Sequence, residues 1–219
     1  MARLPRLVLP GLAHYVVQRG HNRGAVFTDA EDRAEFLRAL REAAAAQQVG
    51  VHAYALADDE LQLLVTPPST PALSRMMQTL GRRYVSAYNR RHGRSGTLWE
   101  GRYRCAVIEP GAWLLAALCL IDSQPGVTSA GHRTGVAPDP LLTDPAEFWR
   151  LGNTPFEREA AWRARLAQPL PPAEAEVLRH AALGGWAVGS AAFLARIASS
   201  GSRPVRPRPR GRPARGTTS

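Results

Sequence analysis

The chain has 219 residues, 45% of them hydrophobic and 21% charged, an ordinary globular mixture that excludes wholesale disorder. No apolar run approaches the roughly 20 residues of a membrane span, the N-terminal stretch lacks a signal-peptide core, and Cys105 and Cys119 are too few for a disulfide framework and lack metal-ligand spacing. The formal net charge is +10, all 28 basic residues are arginine, and the composition reads as a soluble, intracellular protein.

In chain order, Ala13 to Gln18 reads as a strand, ended by a turn-rich loop from Arg19 to Gly24. Asp29 is placed to cap a helix running to about Gln48, with Phe36, Leu37 and Leu40 on one face. Val49 to Leu56 and Leu61 to Thr66 read as two strands joined by an acidic turn. After Pro67 and Pro68, Thr70 is a candidate cap with Pro71 at the first helical position. The helix that follows carries Leu73, Met76, Met77, Leu80, Tyr84 and Tyr88 as one apolar stripe, and Gly93 is its expected stop. Thr97 to Ile108 reads as a strand and Pro110 to about Asp122 as a helix.

The order β-α-β-β-α-β-α implies an α+β fold, a ferredoxin-like antiparallel sheet with helices on one face. Three regions follow from the composition: a domain over 1–125, a small helical C-terminal extension over 126–198, and an Arg/Pro-rich basic tail over 199–219 that is expected to be disordered. Positive charge is confined to two places. Arg82 to Arg104 holds seven arginines against Glu100 alone, and Arg203 to Arg215 holds six arginines and no acid. Codon bias accounts for the missing lysine but not for this clustering, which suits a polyanion such as nucleic acid.

Several blocks are unusual enough to carry a resemblance: Val17-Gln18-Arg19-Gly20, His52-Ala53-Tyr54, Gly96-Thr97-Leu98-Trp99-Glu100-Gly101-Arg102-Tyr103, Gly184-Gly185-Trp186-Ala187-Val188-Gly189 and Arg210-Gly211-Arg212-Pro213. With them the sequence resembles the IS200-like single-tyrosine transposases, specifically the REP-associated branch. The resemblance implies a ferredoxin-like core, often dimeric, that recognises imperfect DNA hairpins and nicks single-stranded DNA. In that family two histidines spaced i, i+2 hold Mg²⁺ or Mn²⁺, and a tyrosine on the later helix attacks the phosphorus.

Here Glu60 and Gln62 stand at the two histidine positions, and Leu120 stands at the nucleophile position. Glu60 could offer an oxygen to a cation, but Gln62 is a neutral, weak ligand. Leucine has no group that attacks phosphorus, so no catalytic residue and no cofactor are expected, and the chain reads as catalytically dead. Tyr84 and Tyr88 belong to the apolar stripe; Tyr103 is the best candidate for a substitute.

The DNA-contacting features look better kept. Arg19 and Arg23 flank the first loop, and Arg82, Arg83, Arg90, Arg91 and Arg94 line the second helix and its exit. Arg102 and Arg104 alternate on the next strand, with Trp99 and Tyr103 interleaved as stacking platforms, Trp99 being as readily a core residue. Arg206, Arg208, Arg210 and Arg212 resemble a minor-groove-inserting tail, against a solubilising extension. The expected partner is DNA, hairpin or single-stranded, with a homodimer allowed by the resemblance and no membrane, in the cytoplasm at the nucleoid. Two other functions stay open: an endonuclease working through displaced residues, and a nonspecific arginine-rich nucleic-acid binder.

Overall fold

A computed structural model describes residues 5–199 and 203–207. Strand β1 (Ala13–Arg19) leads through a short 3-10 turn at His21–Arg23 into α1 (Ala30–Gln47), then β2 (Gly50–Ala57), β3 (Glu60–Thr66), α2 (Thr70–Arg91), β4 (Arg104–Ile108) and α3 (Ala112–Asp122). The extension adds β5 (Val127–Thr128), α4 (Ala130–Arg133), α5 (Ala146–Trp149), α6 (Pro155–Leu166), α7 (Pro172–Gly184), β6 (Ala187–Val188) and α8 (Ala191–Ser199). The sheet order is β5-β2-β3-β1-β4-β6, so the four core strands lie 2-3-1-4, the ferredoxin-like arrangement. Every pairing is antiparallel except β4 with β6.

The capping residues act largely as their chemistry dictates. The Asp29 carboxylate accepts from the Asp32 backbone N–H and starts α1. Ser69, rather than Thr70, occupies the cap position of α2, and Gly93 at φ +59° provides the left-handed residue beyond its end.

The sheet is covered on both sides, not one. α1 and α2 pack Phe36, Leu40, Leu73, Met76 and Tyr84 against Val16, Leu61, Leu63 and Val65. α3, α6 and α7 pack Leu118, Ile121, Trp162 and Leu178 against Tyr15, Val17, Leu64 and Ala106 on the opposite face. The cause is in the strands: β1 buries Ala13 through Val17 without a polar alternation, so both of its faces need cover. α3 is nearly apolar all round, with Leu114 and Ala116 through Ile121 buried, which demands partners on several sides.

Two further expectations change. Thr97 to Tyr103 is a loop and β4 starts only at Arg104, because Gly96 and Gly101 sit at φ +87° and +132°, outside extended geometry. Beyond Ser199, Val205 is anchored: it is buried with Val107, Ala187, Phe193, Leu194 and Ile197, and its carbonyl accepts from the Ala187 N–H at 3.0 Å, while Arg206 and Pro207 are exposed. Arg208, Arg210 and Arg212 lie outside the described residues. Among the described residues no helix is long and apolar enough to cross a membrane.

Candidate nucleic-acid interface

The antiparallel register of β1 with β3 sets Arg19 opposite Glu60 and Val17 opposite Gln62. Alternation along β3 turns Glu60 and Gln62 toward the α3 face, so the structure does bring the two degenerate ligand positions and Leu120 into one corner. Gln124, just past α3, reaches back to the Leu120 carbonyl at 2.7 Å and lies 3.3 Å from the Gln62 amide.

That corner is closed by its own hydrogen bonds. The Arg19 Nε donates to Glu60 Oε2 at 2.6 Å, and the Gln62 Nε2 donates to Glu60 Oε1 at 2.8 Å. The Tyr15 hydroxyl donates to Gln62 Oε1 at 2.8 Å. Arg179, on α7, completes the series at 3.4 Å from Gln124 Oε1. Each oxygen of Glu60 and Gln62 that a divalent cation would need already accepts a hydrogen bond, and a guanidinium sits against the one carboxylate. The side chains present therefore do not fit a divalent cation. Among the described residues, no cluster of three or more His, Cys, Asp or Glu could hold a metal ion.

None of the tyrosine hydroxyls stands open to solvent. Its five tyrosines, Tyr15, Tyr54, Tyr84, Tyr88 and Tyr103, are all buried, with bonds to Gln62, Asp139, the Val26 carbonyl, Thr28 and Ser74 respectively. Tyr15 is the one beside the degenerate pair, and sequence reasoning missed it. Burial pushes its hydroxyl well above the ordinary tyrosine range, and the nearby charge of Glu60 pushes it further. Burial likewise raises Tyr103. The histidines near the sheet are structural. His14 bridges the Leu12 carbonyl and Leu9 N–H, with burial pulling its pKa down to about 4, and His52 lies between the Thr143 carbonyl and Thr66 hydroxyl.

Beside the closed corner runs an open, basic groove. Three adjoining cavities of about 350, 420 and 180 Å³ share Arg102 in their walls. Together they are lined by Arg6, Arg19, Arg75, Arg102, Arg104 and Arg203, and by a single acid, Glu100. Arg102 and Arg104 do face one side, as expected, although Arg102 precedes the strand. Arg75 lies on the α2 face with Pro71, Ser74 and Gln78, and Arg82 continues that face four residues beyond Gln78.

Other expected contacts are placed differently. Trp99 is only 7% exposed and packs with Phe27 and Tyr84, and Tyr103 is equally buried beneath the Arg6 guanidinium, 3.8 Å from its ring centroid. Neither is an open stacking platform, because the loop from Gly96 to Gly101 folds both rings against the α2 layer. Arg83 and Arg91 turn toward α1, where Glu42 and the group Asp29, Glu31 and Asp32 neutralise them. Arg91 in turn holds Asp29 down to about 2. Arg23 is exposed at 3.5 Å from Asp59; Arg90, Arg94 and Arg206 are exposed, with Arg94 over the Tyr88 ring. Arg6, Arg75 and Arg179 were not singled out as contacts from sequence, since isolated arginines give no local signal, and Arg203 was read only as the start of the basic tail.

The fold thus sets a closed polar corner at the start of β3 beside an open basic groove on a ferredoxin-like α+β sheet. The profile of the IS200-like transposase family matches residues 11–112. A solved structure of a REP-associated tyrosine transposase bound to a REP hairpin is similar at TM-score 0.52 and 12% identity, over 67% of this chain and 93% of that one. A candidate transposase from Deinococcus radiodurans R1 aligns at TM-score 0.39 and 20% identity, over 50% of this chain and 88% of that one. No curated protein matches the chain.

Proposed function

We propose that the protein is a DNA-binding relative of the IS200-like transposases that grips hairpin or single-stranded DNA without cutting it, in the bacterial cytoplasm at the nucleoid. The observation that carries this reading is the pairing of two neighbouring regions. Six arginines with one glutamate line a continuous groove, Arg19 alone of the six being paired with a carboxylate among the described residues, while the adjacent corner holds Leu120, Glu60 and Gln62 in a closed hydrogen-bonded set. Arginines held against neutral partners retain their charge for phosphates and release counterions on binding. Support for a hairpin or single strand comes from the family resemblance and from the REP hairpin held by the similar transposase.

The test is fluorescence anisotropy with a labelled hairpin, single strand, duplex and RNA copy at two salt concentrations. A parallel incubation with Mg²⁺ or Mn²⁺ is run on a denaturing gel. Hairpin and single strand are expected to bind more tightly than duplex, and Arg102→Ala with Arg104→Ala to weaken them at least about tenfold. Equal affinity for all four nucleic acids would make the protein a nonspecific binder. A covalent protein–DNA adduct would make it a nuclease after all.

A further inference from the structure

The smallest of the three cavities, about 180 Å³, is built largely outside the segment that matches the transposase profile. Arg6 comes from before β1 and Arg203 from after α8; Arg102 precedes β4 and Arg104 begins it. Gly184 and Gly185 at the end of α7 form its floor and Trp186 a wall.

Four guanidiniums converge here with no carboxylate in the lining. The segments 1–4, 200–202 and 208–219 contain no aspartate or glutamate, so no side chain from them can neutralise the cavity. What holds the arginines is neutral. Arg6 Nε donates to the Tyr103 carbonyl at 3.1 Å, and Arg104 Nη1 donates to the Leu183 carbonyl at 2.8 Å. Arg203 donates to the carbonyls of Pro5 and Gly185 and lies over the Trp186 ring, and its Nε is buried without an acceptor.

Two of these bonds cap the C-terminal carbonyls of α7, which offers an explanation confined to stability. A helix C-terminus supplies only about half a negative charge, against four positive ones. Most of the charge is left uncompensated, in a preorganised fork geometry that matches phosphate oxygens. The glycine pair allows this crowding: a Cβ on Gly184 would fall 2.1 Å from Trp186 Nε1, and one on Gly185, at φ +72°, 3.0 Å from Arg203 Nη2.

We propose that this cavity, where Arg6 before β1 meets Arg203 after α8, is a phosphate subsite that takes one backbone phosphate of the nucleic-acid strand lying in the groove. The inference rests on the DNA-binding reading and extends the footprint beyond the transposase domain to residues of the extension. Arg203 is its discriminating residue, because it lines this cavity and neither of the other two.

The experiment compares wild type, Arg203→Gln, Arg203→Lys and Arg102→Gln for binding of a labelled single-stranded oligonucleotide across a salt series, with the melting temperature of each recorded. Glutamine keeps an amide donor for the Gly185 carbonyl and removes the charge; lysine keeps the charge. Arg203→Gln is expected to bind about tenfold more weakly, with the slope of log affinity against log salt reduced by about 0.7. Arg203→Lys should recover most of the loss. If Arg203→Gln does not fold, Arg6→Gln, before β1, is expected to show the same loss. A wild-type affinity and slope for Arg203→Gln, with Arg102→Gln still weakened, overturns the subsite and leaves DNA binding standing. Absence of binding by the wild type overturns both.

Discussion

Asp122 lies two residues after Leu120, and its carboxylate is the centre of a fully buried network. It accepts from Arg133 Nε at 2.8 Å and Nη2 at 2.7 Å, from the Ser129 hydroxyl at 2.7 Å and from the Trp162 indole at 2.9 Å. Arg133 also donates to the His52 carbonyl at 2.6 Å, so one ion pair ties α4 and α6 of the extension to α3 and β2. Both side chains are wholly shielded from solvent. Removing one member of such a pair strands a buried charge and costs about 3–5 kcal/mol. Asp144, 3.7 Å from Arg133 Nη1, remains as a distant partner after Asp122→Ala and places the expected loss near the lower end, about 3 kcal/mol. Arg133→Met leaves Asp122 with only the Ser129 and Trp162 donors and is expected to lose a similar amount. The double variant should lose less than the sum by at least about 2 kcal/mol, since no lone charge remains buried. Urea unfolding of the four proteins gives the cycle. Additivity within about 0.5 kcal/mol would refute the reasoning.

Three other outcomes follow from the site and its surroundings. His14 has a folded pKa of about 4 against 6.5 unfolded, so the unfolded chain binds the extra proton between those values. Stability from this group is therefore complete above pH 6.5 and falls by about 3 kcal/mol on acidification to pH 4. Urea midpoints of wild type and His14→Gln at pH 7, 5.5 and 4.5 should diverge, whereas Asp29, held near 2, adds its own loss only below 3.8. Leu120→Tyr is expected to form no covalent DNA adduct on a denaturing gel. Position 120 is 5% exposed, so the phenol enters packed apolar space, with an overpacking loss of about 1–3 kcal/mol in the urea midpoint. Arg83→Ala and Arg91→Ala should each change oligonucleotide affinity by less than about twofold in the anisotropy assay, since their charges are already neutralised by α1.

The elements from β1 to α2 were legible because each carries a local instruction. Asp29 offers a cap, the stripe from Leu73 to Tyr88 repeats at helical spacing, and Gly93 is suited to a left-handed stop. The run Thr97 to Tyr103 misled for the opposite reason: its Thr, Leu, Trp and Tyr favour a strand, but Gly96 and Gly101 take positive φ and turn the rings inward. The second helical layer was hidden because nothing local to β1 states what covers its other face. The pair Glu60 and Gln62 was picked out through the family resemblance, not by any local signal. The phenol pointing at it was not, because Tyr15 meets Gln62 only through the β1–β3 register.

The same distinction governs the charge. Seven arginines between residues 82 and 104 look like one basic surface in the sequence, yet helix geometry sends Arg83 and Arg91 toward the acids of α1, while Arg102 and Arg104 line the groove. Arg6 and Arg75, isolated in the sequence, and Arg203, from the basic tail, join them only after folding. Local charge density points to a polyanion as the expected partner, whereas the side chains available to it are decided by where each guanidinium finds a carboxylate. Arg6, Arg104 and Arg203 rest on carbonyls and rings and keep their attraction for phosphate, whereas Arg83 and Arg91, and Arg19 against Glu60, are neutralised by neighbouring acids.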